Sequence, residues 1–170
     1  MAAQSTYSLV FDSADTGVVQ TGFNSVLNGL TTLCGSFWIK PNSTQVEGFP
    51  RVFQIDDAGD WSILLQGSAT ALRLLIHGID VNGTLTADAW NHVGFRYVSA
   101  SVFKLYINGS EVASGSTSGA ISASGIIITA GGRTGGGRQM VGQLDDLALF
   151  SSDIGAANIA GIAGTVGVNG

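Results

Sequence analysis

The stretch KLYINGSEVA, Lys104 to Ala113, decides the fold. An alternating apolar run stops at Asn108-Gly109 and a second run begins at once. Asn-Gly supplies the two positive-φ positions of a tight primed turn, whose twist matches that of its flanking strands. The stretch therefore predicts a β-hairpin with its tip at Asn108-Gly109.

The same period of two extends outward from the hairpin in both directions. Tyr7, Leu9 and Phe11 alternate with Ser8, Val10 and Asp12; Leu33, Phe37 and Ile39 alternate with Cys34, Ser36 and Trp38; Val93, Phe95 and Tyr97 alternate with His92, Gly94 and Arg96. Further short strands are expected at Arg51 to Ile55, Trp61 to Gln66, Leu72 to His77, Phe103 to Ile107, Ile126 to Ala130 and Gln143 to Phe150. Asp56 to Asp60, Asn82-Gly83 and Gly131 to Gly137 read as connections, and the 25 glycines are spread among them. Short strands separated by turn residues throughout the chain define an all-β sandwich or barrel. One short C-terminal helix is expected, capped by Ser152 or Asp153 and carrying an irregular stripe of Ile154, Ala157, Ile159 and Ile162.

With 170 residues the chain reads as one domain, 1–170, with a core from about 7 to 162 and a tail over 164–170 that is mobile or docked on a neighbour. Seven basic against 12 acidic residues give a net charge of −5, which disfavours nucleic acid and anionic membranes as partners. Charged residues make up 11% of the chain, under half of the roughly 25% usual in soluble domains. That deficit predicts surface covered by other subunits, hence a homo-oligomer. MAAQSTYSLV has no basic segment leading into an apolar run, so no secretory signal is expected, and no window approaches a membrane span. Cys34 stands alone and reads as a small buried hydrophobe.

Several segments in order, FD near the first strand, SFWIKPNS, WNHVGFRY, LYINGSEVASG, a glycine-rich loop and GQLDDLALFSSDI, resemble the laminin-G-like branch of the concanavalin A-like lectins and glucanases over roughly Tyr7 to Ile162. The resemblance implies a jelly-roll sandwich of two curved antiparallel sheets, with loops and a concave face available to ligands. In GQLDDLALF, Leu144 is out of phase with Leu147 and Leu149, so a bulge at Asp145 and Asp146 is needed if all three are to point inward. By the same resemblance, an acidic residue at the position of Asp145 supports a structural calcium, which makes Asp145 and Asp146 the first metal candidates.

Asp56, Asp57 and Asp60 in DDAGDW form a second cation candidate by charge, although they lack the alternate spacing and closing Glu of an EF-hand, and a hairpin turn also fits them. The enzymatic relatives are glycan hydrolases with paired carboxylates on one strand. Here the only glutamates, Glu47 and Glu111, have no acidic partner at that spacing, so no glycosidase activity is expected. His77 and His92 have no metal-ligand partner, and His92 is expected to be a satisfied structural histidine. GGRTGGGR lacks the Gly-Lys-Ser/Thr ending of a phosphate loop, but Arg133 and Arg138 within it are candidates for contact with an acidic partner or glycan. Asn42, Asn82 and Asn108 head Asn-x-Ser/Thr triplets that read as turn chemistry. Among the tryptophans, Trp61 beside the acidic loop is the candidate exposed ring for stacking a ligand, whereas Trp90 is expected in the core.

Two functional classes follow. The first is a non-enzymatic structural or attachment module, a bacteriophage virion surface protein such as a capsid decoration or tail-associated component, assembling with itself or with a coat protein. The absent signal, absent disulfide and low charge motivate it. The second is a free lectin-like glycan binder that uses calcium-bearing loops or the concave face.

Overall fold

A computed structural model of the chain describes residues 8–12, 18–20, 27–55, 61–121, 128–133 and 137–164. The strands are β1 (Leu9–Phe11), β2 (Val19–Gln20), β3 (Leu33–Pro41), β4 (Arg51–Gln54), β5 (Trp61–Leu65), β6 (Ala71–Ile76), β7 (Ile79–Thr84), β8 (Asn91–Val98), β9 (Val102–Ile107), β10 (Ser110–Ser116), β11 (Thr129–Ala130) and β12 (Gly142–Phe150), followed by helix α1 (Gly155–Gly164). They form two antiparallel six-stranded sheets: a back sheet ordered β1-β12-β3-β8-β9-β10 and a front sheet ordered β2-β11-β4-β5-β6-β7. The architecture is a jelly-roll sandwich with one short C-terminal helix.

Alternation places the core between the sheets. Leu33, Phe37, Ile39, Val93, Phe95, Tyr97, Phe103 and Leu105 point inward from the back sheet and meet Phe53, Trp61, Ile63, Leu65, Leu72, Leu74 and Ile76 from the front. The rings of Phe53 and Phe95 stack across the interface, 6.4 Å between centroids. Each such side chain stabilises the fold by about 1.5 to 3 kcal/mol of apolar burial.

Asn108 and Gly109 have φ of 51° and 81°, the left-handed pair that the primed turn demands, and they join β9 to β10. The next hairpin differs from expectation. Asn82 and Gly83 lie within β7, paired to Arg73 and Leu72, and the turn before them is His77-Gly78 at φ 48° and 77°. Gly83 faces inward, where an added Cβ would come within 2.5 Å of Ile107 Cδ1, so its role is to leave room.

Helix α1 packs on the outer face of the back sheet at β8. Ile159 is fully buried against Gly94, where an added Cβ would lie 2.6 Å from Ile159 Cγ2, and Ala160 and Ala163 sit over the turn at Gly109. Asp153 anchors the helix start by accepting the Gly155 N–H at 2.9 Å. It also accepts the Arg96 Nε–H at 2.7 Å and a second Arg96 bond at its other oxygen. Arg96 holds the Asp153 carboxyl down at about 2. Cys34 is buried beneath this junction, its Sγ 3.6 Å from Asp153 Oδ1. Substituting Gly94→Val should lift α1 from the sheet and cost about 1 to 3 kcal/mol of overpacking. Urea unfolding with an unchanged midpoint would refute this docking.

Candidate functional site

The expected bulge in β12 is present, with the register to β3 shifting between Asp145 and Ala148. Asp146 takes the left-handed conformation at φ 50°, and its N–H donates to Asp145 Oδ1 at 2.8 Å. Leu144 is buried and Leu149 packs on the core, but Leu147 is 40% exposed, so only two of the three leucines turn inward. The slip lets Leu144 and Leu149 share a face at the cost of one outward residue.

Asp145 Oδ2 is buried without a partner among the described residues. It borders a concavity of about 180 Å³ that Asp146, Leu9 and Leu144 also line. Burial and the neighbouring Asp145 charge raise the pKa of Asp146. Two adjacent carboxylates are fewer than the six to eight oxygens calcium takes, and among the described residues no group of three or more acidic, His or Cys side chains forms. The donors among the described residues do not by themselves complete a calcium site. Asp145→Ala should cost about 1 to 3 kcal/mol through the lost bond at the bulge. Thermal melts with and without a chelator separate the carboxylate's own effect from that of a bound ion; an unchanged melting temperature in the variant would remove the structural role.

Asp56, Asp57 and Asp60 lie outside the described residues. Trp61, expected as an exposed ring, is only 3% exposed. It shares parity with Ile63 and Leu65, faces the sandwich interior, packs edge-on to Tyr97 at 4.9 Å, and donates its indole N–H to His77 Nε2 at 3.3 Å. Its ring therefore cannot stack a ligand. Trp90 is half-buried rather than enclosed in the core. His92 is fully buried but is not the satisfied histidine expected: neither ring nitrogen has a partner among the described residues, and burial pushes its pKa down to about 4.

The arginines are arranged on the front sheet, and strand register explains how. Arg51 on β4 pairs with Leu64 on β5, and Leu64 pairs with Arg73 on β6. Cross-strand partners share a face, and Leu64 lies outside the inter-sheet core cluster, so this row looks outward. The Arg51 N–H donates to the Arg138 carbonyl at 2.8 Å, which adds Arg138 to the end of the row. These three arginines, with Phe49, Leu64 and Leu75, line a shallow concavity of about 210 Å³. Leu64 is only 2% exposed although it faces away from the core, and the aliphatic stems of long cations can cover such a residue. The Arg138 guanidinium carbon sits 5.8 Å from the Phe49 ring centroid, and Phe49 is 42% exposed. Arg73 also pairs with Asp80 at 3.1 Å.

Of the two arginines singled out from the glycine-rich loop, the structure brings Arg138 into this row. Arg133 remains exposed in a turn, its N–H bonded to the Gly137 carbonyl, and lines no part of the concavity. Arg51, Arg73 and Phe49 were not legible as site residues, since only the register of three strands aligns them.

Two antiparallel six-stranded sheets of this order, with a helix packed on one of them, define a jelly roll. A laminin-G-like family model matches residues 12–160, and the chain belongs to the concanavalin A-like lectin/glucanases superfamily. Among solved structures it is similar to the native heptameric SAP-like pentraxin from Limulus polyphemus, with 18% identity, a TM-score of 0.70, and coverage of 95% of this chain and 83% of that one. It is also similar to the botulinum neurotoxin serotype G binding domain, with 10% identity, a TM-score of 0.69, and 90% of this chain on 41% of that one. A third match is the binding domain of Paraclostridial Mosquitocidal Protein 1, with 18% identity, a TM-score of 0.63, and 95% of this chain on 46% of that one. The chain thus spans less than half of either toxin binding domain. These likenesses show the fold. A search of curated protein sequences finds no match. No helix among the described residues is long and apolar enough to cross a membrane.

Proposed function

We propose that this chain is a non-enzymatic binding module that takes a glycan on the outer face of the front sheet. The composition of the front-sheet concavity carries this reading. Whereas the concavity between helix α1 and β12 is lined by Phe150, Ile154, Asn158, Gly161 and Ile162 with no charged side chain among the described residues, the front one is walled by Phe49 and three arginines over Leu64 and Leu75. Sugars are held by an apolar or aromatic surface beside a few convergent hydrogen-bonding groups, and this lining provides both. Its lining among the described residues contains no carboxylate, whereas glycoside hydrolysis uses two that flank the scissile bond. Glycan-array screening followed by calorimetry tests the reading: saturable binding with no reducing ends released is the expected result. Release of reducing ends that depends on Glu47 or Glu111 would overturn it.

The second reading is a structural one, a bacteriophage virion surface component, capsid decoration or tail-associated, that assembles with its own copies or with a coat protein. An apolar margin favours it: edge strand β1 exposes Leu9 and Val10 at 48% and 62%, with Leu147 at 40% beside them. The pentraxin that shares the fold is heptameric. A stable contact would remove roughly 1,200 to 2,000 Å² from water. Sedimentation at micromolar concentration should then show a discrete oligomer that Val10→Asp dissociates, and a monomer that also ignores purified coat protein would refute it.

A further inference from the structure

We propose that helix α1 is an acid-released lid, which protonation of His92 lifts from the back sheet to uncover an aromatic surface of Trp38, His92 and Tyr106. The inference stands apart from the glycan reading. On β8, Val93, Phe95 and Tyr97 enter the core, so His92, Gly94 and Arg96 alternate onto the outer face. Ile159 covers Gly94 there. Ala160 and Ala163 cover Gly109, whose neighbour Asn108 exchanges two hydrogen bonds with the His92 backbone. The helix therefore runs over the strand between these contacts, with His92 beneath it, and Trp38, the β3 partner of His92, flanks the ring edge-on at 5.3 Å. Tyr106, the β9 partner of Gly94, lies outside the inter-sheet core and is still buried, which makes it a further ring under the helix.

The imidazole is fully buried, and neither nitrogen has a hydrogen-bond partner among the described residues. An imidazolium there would bury a charge and two N–H donors with nothing to receive them, so it needs the water that α1 keeps out. The groups around it supply no counter-charge. Lys40 lies two residues along β3 from Trp38, Arg96 and Lys104 are cations bound to Asp153 and Glu111, and the Tyr106 hydroxyl is taken up by Arg96 and Glu111. Asp145 stands on β12 beyond Trp38, and α1 itself carries no titratable side chain. Burial alone moves the ring's pKa, from 6.5 to about 4. As pH falls through that window the released state gains a proton that the docked state refuses. The ratio of released to docked helix then rises about 30-fold between pH 7.5 and 5, toward a limit of about 300-fold at lower pH. The attachments of α1 let it open without the sandwich. Its first turn is held by Asp153 and Arg96, a pair that stays charged here because Asp153 titrates at about 2. Beyond the hinge at Gly155, with φ of 80°, the helix is seated by apolar contacts at Ile159, Ala160 and Ala163, and ten residues make a marginal helix once those are lost.

Hydrogen exchange of the whole chain between pH 7.5 and 5, corrected for the intrinsic pH dependence of amides, tests the inference. The amides of α1 should open about 30-fold more often at pH 5 than at 7.5, while those of β5 and β6 in the front sheet keep their protection. Fluorescence of the apolar dye bis-ANS should rise over the same interval. His92→Leu and His92→Gln should each make α1 protection independent of pH. In the unmutated protein, where no variant has to fold, the His92 Cε1–H resonance should titrate below pH 6. Titration of that resonance near 6.5 with α1 still protected would show that the docked helix admits the proton, and would overturn the lid. So would α1 and front-sheet amides opening together, α1 protection unchanged down to pH 5, or acid release that persists in both variants.

Discussion

Lowering the pH from 7 to 4 is expected to remove about 3 kcal/mol of folding stability through His92 alone. Its ring is fully buried, edge-on to Trp38 at 5.3 Å, and burial sets its pKa at about 4 against 6.5 for the free side chain. The sign follows from the order of the two values. Between pH 6.5 and 4 the unfolded chain binds a proton at this ring that the folded chain refuses, so stability is full above 6.5, declines as pH falls through that window and levels off below 4. A displacement of this size, at 1.36 kcal/mol per pH unit, gives the stated loss. Urea unfolding at closely spaced pH values measures it. His92→Leu should flatten the profile between pH 6.5 and 4 whatever it does to stability at pH 7; an unchanged slope in the variant would show that the acid sensitivity lies elsewhere.

Removing the Asp153 carboxylate should be comparably costly, about 3 kcal/mol for Asp153→Ala. One carboxylate here accepts two bonds from Arg96 and the first N–H of α1, and its loss leaves a half-buried guanidinium with, among the described residues, the Tyr106 hydroxyl 3.1 Å away. Asp153→Asn should recover roughly 1 kcal/mol, since an amide oxygen still caps the helix. The wild-type pair has its own pH signature, distinct from that of His92. Because the folded pKa of Asp153 is depressed to about 2, its contribution persists above 3.8 and disappears as pH falls through 2. A second readout is chemical. Cys34 is fully buried under the junction, and its thiol pKa is raised by that burial, so it should resist thiol reagents in the wild type and react once α1 is loosened. A variant that melts within 0.5 kcal/mol of the parent, about the scatter of surface substitutions, and still protects Cys34 would refute the anchoring role.

How far the sequence speaks for this fold depends on how local each signal is. Asn108-Gly109 announces a hairpin because two adjacent residues suffice to set the turn. Asn82-Gly83 carries the same dipeptide and lies in a strand, because there glycine answers a demand from across the sandwich, the space taken by Ile107 and Leu105. The true turn at His77-Gly78 asks a histidine to adopt a positive φ, which composition does not foretell. Strand β7 was missed for that reason. Trp61 shows the opposite case: its parity with Ile63 and Leu65 already pointed it inward, and proximity to acidic neighbours said nothing about its face. The arginine row was out of reach altogether. Arg51, Arg73 and Arg138 come together only through the register of β4, β5 and β6 and one backbone bond, and register between strands is a property of the folded sheet.

The strand order also has a consequence for how the molecule comes into being on a ribosome. Neighbours β4, β5, β6 and β7 in the front sheet are consecutive in the chain, so their hairpins can close as soon as they emerge. In the back sheet β12 lies between β1 and β3, and Leu9 finds its partner only in Leu144. Strand β1 must therefore wait, unpaired, until β12 has been made. During that interval Leu9 and Val10 are an apolar strand without a neighbour, the kind of segment that other nascent chains or chaperones capture. Ribosome-bound chains halted before residue 142 should accordingly hold a protease-resistant front sheet and a cleavable N-terminal strand, with protection of that strand arriving only after β12 has cleared the exit tunnel.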